Sequence, residues 1–151
     1  MQPPIVTALA DVASTDSRIV LLTDDGADDA LRPFRAMLPD QWYGVEGSAD
    51  AIIGLAAGLA MNDHRVFILA RAPLMTFRTC EFLRSEVCRN RLPVVIITEA
   101  DSGDPAALST LMQTLPGMRV IVARDAREAR AAVATLAADG GPGVLSVPPI
   151  V

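Results

Sequence analysis

The chain has 151 residues, of which 51% are hydrophobic and 4% aromatic, and its formal net charge is −5 at pH 7. A core of small aliphatic side chains is typical of an α/β protein whose helices cover both faces of a buried sheet. The acidic balance argues against nucleic acid as the main partner, and no apolar run reaches the roughly 18 residues of a membrane span.

The cysteines and the first residues indicate the compartment. Cys80 and Cys88 are the only two cysteines, and they form no CxxC motif and have no neighbouring histidine. This spacing predicts free thiols in a reducing environment. The opening stretch MQPPIVTALADVAS lacks a basic segment followed by a long apolar one. The sequence therefore predicts no signal peptide and a cytoplasmic protein.

In the first part of the chain, helical spacing of apolar residues alternates with short runs of β-branched residues. Turn-forming residues such as Ser14-Thr15-Asp16-Ser17 separate these patterns. The predicted elements are a helix over 5–13, a strand over 18–22, a short helix over 29–37, a weak strand over 39–45, a helix over 48–61 and a strand over 65–70.

The second part of the chain continues the alternation, with predicted helices over 76–90, 105–115 and 125–138 and predicted strands over 93–98, 118–122 and 144–147. Parallel neighbours need crossover helices, so six apolar strands alternating with helices predict a doubly wound, mainly parallel sheet with helices on both faces. We expect residues 1–151 to form a single domain of this kind.

The helix predicted over 48–61 has an unusually flat surface of small side chains, because its sequence is dominated by glycine and alanine. Glycine inside a helix costs about 1 kcal/mol relative to alanine, so a glycine stripe indicates close approach of another segment. Two interpretations stay open: packing on the sheet of the same chain, and an interface with another chain. The candidate interface residues are Ile53, Gly54, Ala57, Gly58 and Met61.

Several segments in register carry a resemblance to a known family. They include DSRIVLL, IIGLAAGLAM, RVFILA, TFRTCEFLRSEVCRNRLPVVIIT and LPGMRVIVARDAREARAAV, and they cover nearly the whole chain in order. Together they resemble the pyrimidine-binding domain of the transketolase family. The resemblance implies a thiamine diphosphate cofactor shared between two chains, with Mg²⁺ and the diphosphate held by the partner.

In that family a glutamate near the start of the small-residue helix hydrogen-bonds the aminopyrimidine ring. The family pattern, G-I-A-E-x-x-x-x-G-x-A-A-G, places Ala49 at the position of this glutamate. The resemblance therefore leaves two neighbouring carboxylates as candidates for the catalytic role. Asp50 follows one residue later, and Glu46 lies in the turn before the helix.

Further candidates follow the first and third strands, where the family contacts the cofactor. The resemblance implies cofactor-binding roles for Asp25 after the first strand and for Arg71, Leu74 and Met75 after the third. The carboxyl ends of strands are also where open α/β sheets bind ligands. His64 precedes the third strand and is expected to have a surface role.

Three functions remain open on this basis. The first is the pyrimidine-domain subunit of a split, heteromeric, transketolase-like enzyme that transfers a two-carbon ketol or acyl unit; this interpretation allows self-association. The GDG…N motif of the diphosphate-binding domain is absent from the sequence, so that domain is expected on a partner chain. The second is a degenerate scaffold subunit that stabilises such a partner without cofactor chemistry. The third, an unrelated nucleotide-binding domain, is disfavoured because no GxGxxG follows the first strand.

Overall fold

The computed structural model describes residues 3–24, 29–69, 77–99 and 105–149. Short apolar runs rich in Val, Ile and Leu form the strands, as their β propensity and burial require. The strands are β1 (Ile19–Thr23), β2 (Trp42–Gly44), β3 (Arg65–Leu69), β4 (Val94–Glu99), β5 (Arg119–Val122) and β6 (Gly143–Val147).

These six strands make one sheet in the order β2-β1-β3-β4-β6-β5, and all five pairings are parallel. The chain first runs from β1 outward to β2, then crosses back over β1 to β3 and continues toward the other edge. The predicted doubly wound parallel sheet is therefore confirmed.

One helix precedes β1, the other five lie between successive strands, and together they cover both faces of the sheet. They are α1 (Pro4–Thr15), α2 (Arg32–Met37), α3 (Ala49–Met61), α4 (Phe77–Phe82), α5 (Pro105–Gln113) and α6 (Ala126–Asp139). We call face A the side whose core contains residues of α1, α2 and α6. Face B is the opposite side, whose core contains residues of α3, α4 and α5.

Alternation along the strands divides the core between these two faces. In β1, Ile19 and Leu21 point into the face A core, whereas Val20 and Leu22 point into the face B core. All five residues of β1 are buried, which is the pattern of a strand covered on both sides.

Two predicted elements are present but differ from the prediction in detail. The weak strand predicted over 39–45 is a 3₁₀ turn, Pro39–Gln41, followed by β2. Pro39 favours the turn because it lacks the N–H that a strand interior needs. The helix predicted over 76–90 is α-helical only through α4 and continues as a π-helix over Leu83–Cys88. An i→i+5 hydrogen bond from Arg89 N–H to Arg84 O, 3.1 Å long, marks the wider turn.

Candidate active site at the carboxyl edge of the sheet

The sheet has a topological switch point between β1 and β3. Thr23 and Leu69, the last residues of these neighbouring strands, are register partners. The next helix after β1 is α2 on face A, and the next after β3 is α4 on face B. Open α/β sheets bind ligands at the carboxyl ends of strands where consecutive connections diverge in this way.

The entrance to α3 lies at this edge because α3 follows the carboxyl end of β2. Gly47 has φ +147°, a conformation that L side chains rarely adopt, and it turns the chain from β2 into the helix. Ser48 is the N-cap, and its Oγ accepts a hydrogen bond from Ala51 N–H at 3.4 Å. Ala49 is therefore the first residue of the helix and Asp50 the second.

Ala49 and Asp50 point in different directions. Ala49 is half-buried and packs against the face B core. Asp50 lies about 100° further around the helix, and its Oδ2 forms an ion pair with Arg78, 2.7 Å from Nε. The Asp50 side chain keeps 24% of its exposure, whereas Arg78 keeps 85%. The entrance to α3 thus carries a carboxylate that is partly shielded from water and paired with a cation from α4.

The other predicted catalytic residue, Glu46, lies just after β2. Val45 N–H still donates to Thr23 O at 2.8 Å, so the connection leaves the sheet after Val45. Glu46 is exposed. Of the two predicted carboxylates, Glu46 therefore lies on the connection between β2 and α3, and Asp50 lies in the first turn of α3.

The remaining predicted cofactor residues, Asp25, Arg71, Leu74 and Met75, lie outside the described residues. His64 lies before β3, at the amino edge of the sheet, and its Nδ1 is 3.3 Å from Arg18 O. This position is at the end of the sheet opposite the switch point, so His64 does not belong to the candidate site.

Two of the residues predicted to form an interface are buried within the chain. Ile53 and Ala57 keep only 0% and 5% of their exposure because they are packed in the face B core. Their side chains are therefore not available to a partner, and the prediction is corrected for them. A Cβ on Gly54 would lie 3.7 Å from the Phe82 ring, an ordinary contact within the chain.

Gly58 and Met61 remain as candidate interface residues. A Cβ on Gly58 would meet no atom within 4 Å, and Met61 is 59% exposed. Leu55, which the sequence prediction omitted, is 41% exposed on the same side of α3. We call Leu55, Gly58 and Met61 the outer face of α3; its role as an interface stays a prediction.

Arg78 was also missed from the sequence, although a signal was available. Helices that follow parallel strands of one sheet and lie on the same face begin at the same edge of that sheet. Asp50 and Arg78 are each the second residue of such a helix. Opposite charges at equivalent positions of α3 and α4 could therefore have been paired from the predicted elements alone.

Two hydroxyls lie in the core near the carboxyl ends of β4 and β6. Thr98 and Ser146 are register partners and keep 7% and 3% of their exposure. In the part of the chain that the structure describes, neither hydroxyl has a hydrogen-bond partner. Buried hydroxyls are usually paired, so these two give the sheet an unsatisfied polar patch close to its carboxyl edge.

Both cysteines are free and buried, as predicted. Burial raises the pKa of each thiol, so neither is poised as a nucleophile. Within the described ranges, no three His, Cys, Asp or Glu side chains are grouped to hold a metal ion. No helix in those ranges is both long and apolar enough to cross a membrane.

Comparison with known proteins agrees with this fold, although no family model matches the chain. The chain is 30% identical to 1-deoxy-D-xylulose-5-phosphate synthase of Mycobacteroides abscessus, over 93% of its own length and 23% of that protein. It is 26% identical to one subunit of the apulose-4-phosphate transketolase of Phocaeicola vulgatus, over 85% of its length and 44% of that polypeptide.

A solved structure of a split-gene transketolase, described as an inactive beta4 tetramer, superposes with a TM-score of 0.84. It is 26% identical and matches 95% of this chain and 49% of its own. The chain thus spans less than half the length of each relative that it matches.

The sheet order and the two helical layers are those of a pyrimidine-binding domain of the thiamine-diphosphate-binding fold. Within that class the chain belongs to the transketolase family.

Proposed function

We propose that this chain is the pyrimidine-domain subunit of a split, heteromeric, thiamine-diphosphate-dependent enzyme that transfers a two-carbon ketol or acyl unit. A partner chain holds the diphosphate through Mg²⁺. The observation that carries the proposal is the partly shielded Asp50 carboxylate, held at 2.7 Å by Arg78 where α3 begins at the switch-point edge.

The chemistry requires a carboxylate aimed at the aminopyrimidine ring. A carboxylate only accepts hydrogen bonds, so it can fix a protonated ring nitrogen and favour the imino tautomer of the neighbouring amino group. When bound, the cofactor supplies the carbanion and the electron sink that sugar-transfer chemistry needs. The chain's own task is then to bind and orient the ring and to exclude water around it.

Asp50 fits this role better than the neighbouring residues. Ala49, at the position of the family's glutamate, has no acceptor and packs into the core. Glu46 is exposed in the turn before the helix. Asp50 keeps a carboxylate in the first turn of α3, where the helix dipole also favours negative charge.

The relatives support a two-chain enzyme. One is named as a single subunit of a transketolase, and another is a split-gene transketolase whose beta4 tetramer is described as inactive. We therefore propose that this chain also needs a second, different chain for activity. The substrate is proposed only as a ketose or a 2-oxo acid, the donors from which this chemistry removes a two-carbon or acyl unit.

The test begins with capture of the tagged chain from its native host and mass spectrometry of what binds. We expect a partner that carries GDG…N. Turnover by the purified pair in the presence of thiamine diphosphate and Mg²⁺ should be lost in Asp50→Asn and retained in Glu46→Gln. Capture of the chain alone would contradict the two-chain proposal.

A scaffold function predicts a different result from the same pair. In that case the complex still needs this chain for assembly, but full turnover persists in Asp50→Asn, Glu46→Gln and the double variant. That outcome would remove the catalytic role while keeping the partner.

A further inference from the structure

The contact between Asp50 and Arg78 joins the first turns of two neighbouring helices on face B. Arg78 Nε lies 2.7 Å from Asp50 Oδ2, within the range of a charge-assisted hydrogen bond. The carboxylate is the more shielded partner, at 24% exposure against 85% for the arginine. The aliphatic part of Arg78 therefore extends through solvent while its guanidinium reaches back to α3.

The position of Arg78 is unfavourable for its own helix. A cation in the first turn faces the positive end of the helix dipole, which typically costs about 0.3–1 kcal/mol. Arg78 is the second residue of α4. A surface ion pair of this exposure contributes little to stability, so stability alone is a weak reason for an arginine at this place.

We propose that Arg78 is a positioning residue that aims the Asp50 carboxylate at the pyrimidine ring; this inference rests on the proposed function. By pairing with Oδ2, Arg78 restricts the rotamers of Asp50, and Oδ1 would remain available to the ring nitrogen. An unanchored aspartate would sample other rotamers and lose part of its hydrogen bond to the ring.

This arrangement accounts for how an aspartate, one residue beyond the position of the family's glutamate, can take over the hydrogen bond to the ring. The one-residue offset turns the side chain by about 100° around α3, and aspartate is one methylene shorter than glutamate. A cation on α4 draws the carboxylate in a fixed direction, which a side chain on α3 alone could not ensure. Arg78 thus compensates for the displaced carboxylate.

The first experiment measures the affinity of the purified two-chain complex for thiamine diphosphate by titration calorimetry with Mg²⁺ in excess. Arg78→Met should weaken cofactor binding about tenfold, because the Asp50 carboxylate is then no longer held in one orientation and its hydrogen bond to the ring weakens. Arg78→Lys, which keeps the cation, should recover most of the affinity. Arg84→Met is the matched control, because Arg84 follows α4 and pairs with Glu81 at 2.6 Å.

The second experiment separates a positioning role from a purely structural bridge. The melting temperature of the chain is measured for Arg78→Met and Arg78→Lys beside the cofactor affinity of the complex. A structural bridge predicts that Arg78→Met lowers the melting temperature and the affinity together. The positioning role predicts that the affinity falls while the melting temperature stays near that of wild type, because an exposed ion pair adds little to stability.

Three results would overturn the inference. If Arg78→Met binds the cofactor as wild type does while Asp50→Asn binds it more weakly, Arg78 has no positioning role and the proposed function stands. If Asp50→Asn binds the cofactor with unchanged affinity, neither Asp50 nor Arg78 acts on the ring. Cofactor binding by the complex would still support two-chain assembly. Failure to recover any partner removes the proposed function and this inference with it.

Discussion

At the scale of single residues, the amide of Gln41 closes the junction between α1 and β1. Its Nε2 lies within hydrogen-bond distance of three backbone oxygens: 2.9 Å from Ala13 O, 3.1 Å from Asp16 O and 2.8 Å from Ile19 O. These carbonyls belong to the end of α1, the turn and the start of β1. One side chain before β2 therefore adds a donor for carbonyls of three successive segments, of which Ala13 O and Asp16 O also accept from the backbone N–H groups of Asp16 and Ile19.

We expect Gln41→Ala to destabilise the chain by about 1–3 kcal/mol, because partly buried carbonyls lose a donor. Gln41→Glu should cost more, since a carboxylate would face the same oxygens without a proton to donate. Urea unfolding followed by circular dichroism measures both changes. Gln113→Ala, at the exposed end of α5, is the control and should stay within about 0.5 kcal/mol of wild type. Equal effects at the two positions would contradict the proposed role of Gln41.

In the same turn, Asp16 accepts from Arg18 N–H at 3.0 Å and from the Arg18 guanidinium at 2.9 Å. These bonds lower the pKa of Asp16 from 3.8 to about 2. A carboxyl whose pKa is depressed by folding contributes stability above its unfolded pKa, and this stability is lost as pH falls through the folded value.

We therefore expect Asp16→Asn to be less stable than wild type at pH 7 and the difference to shrink as pH falls from about 4 to about 2. Denaturant unfolding of both chains across this interval measures it. The exposed Asp40→Asn should show no comparable convergence. A difference that is constant with pH would mean that Asp16 acts through its shape rather than its charge.

At the scale of elements, burial made the strands predictable. The runs at β1, β3, β4 and β6 are apolar because both faces are covered, so their bounds could be predicted within about two residues. The π-helix at Leu83–Cys88 could not be predicted, because the change from i→i+4 to i→i+5 bonds leaves the apolar pattern of the segment nearly unchanged. The sequence also could not show which glycines of α3 face the core.

Among the described glycines, Gly143, the first residue of β6, leaves the least room for a side chain. A Cβ there would lie 2.7 Å from Leu136 Cδ2 and 3.5 Å from Arg119 O. Leu136 keeps only 2% of its exposure, so it has little room to move aside. This glycine therefore lets α6 approach the sheet closely.

Gly143→Ala should destabilise the chain by about 1–3 kcal/mol, the usual cost of overpacking a core. Gly141→Ala is the control two residues earlier, because a Cβ there would meet no atom within 4 Å. Chemical unfolding of the two variants compares them directly. A neutral Gly143→Ala would mean that Leu136 and α6 shift at little cost.

At the scale of the whole molecule, the fold brings Asp50 and Arg78 to one edge of the sheet. The exposed outer face of α3 extends from Leu55 toward the opposite edge, where Met61 ends the helix. The topology could be predicted from the sequence, but the direction of Asp50 could not. It depends on Ser48 as the cap of α3, a boundary that sequence patterns fix only within a few residues.

The outer face of α3 is the predicted contact with a partner chain. Gly58 is exposed and helical, so Gly58→Ala should stabilise the chain alone by about 0.5–1 kcal/mol.

Gly58→Leu should also leave the chain folded, because nothing lies within 4 Å of a Cβ at this position. It should nevertheless abolish partner binding by filling a close contact between chains. Thermal unfolding and sedimentation of the chain, alone and with its partner, measure both effects. Ala134→Leu, exposed on α6 at face A, should leave assembly unchanged. If Gly58→Leu binds the partner as wild type does, the contact between chains lies elsewhere, and this glycine has no role that the fold requires.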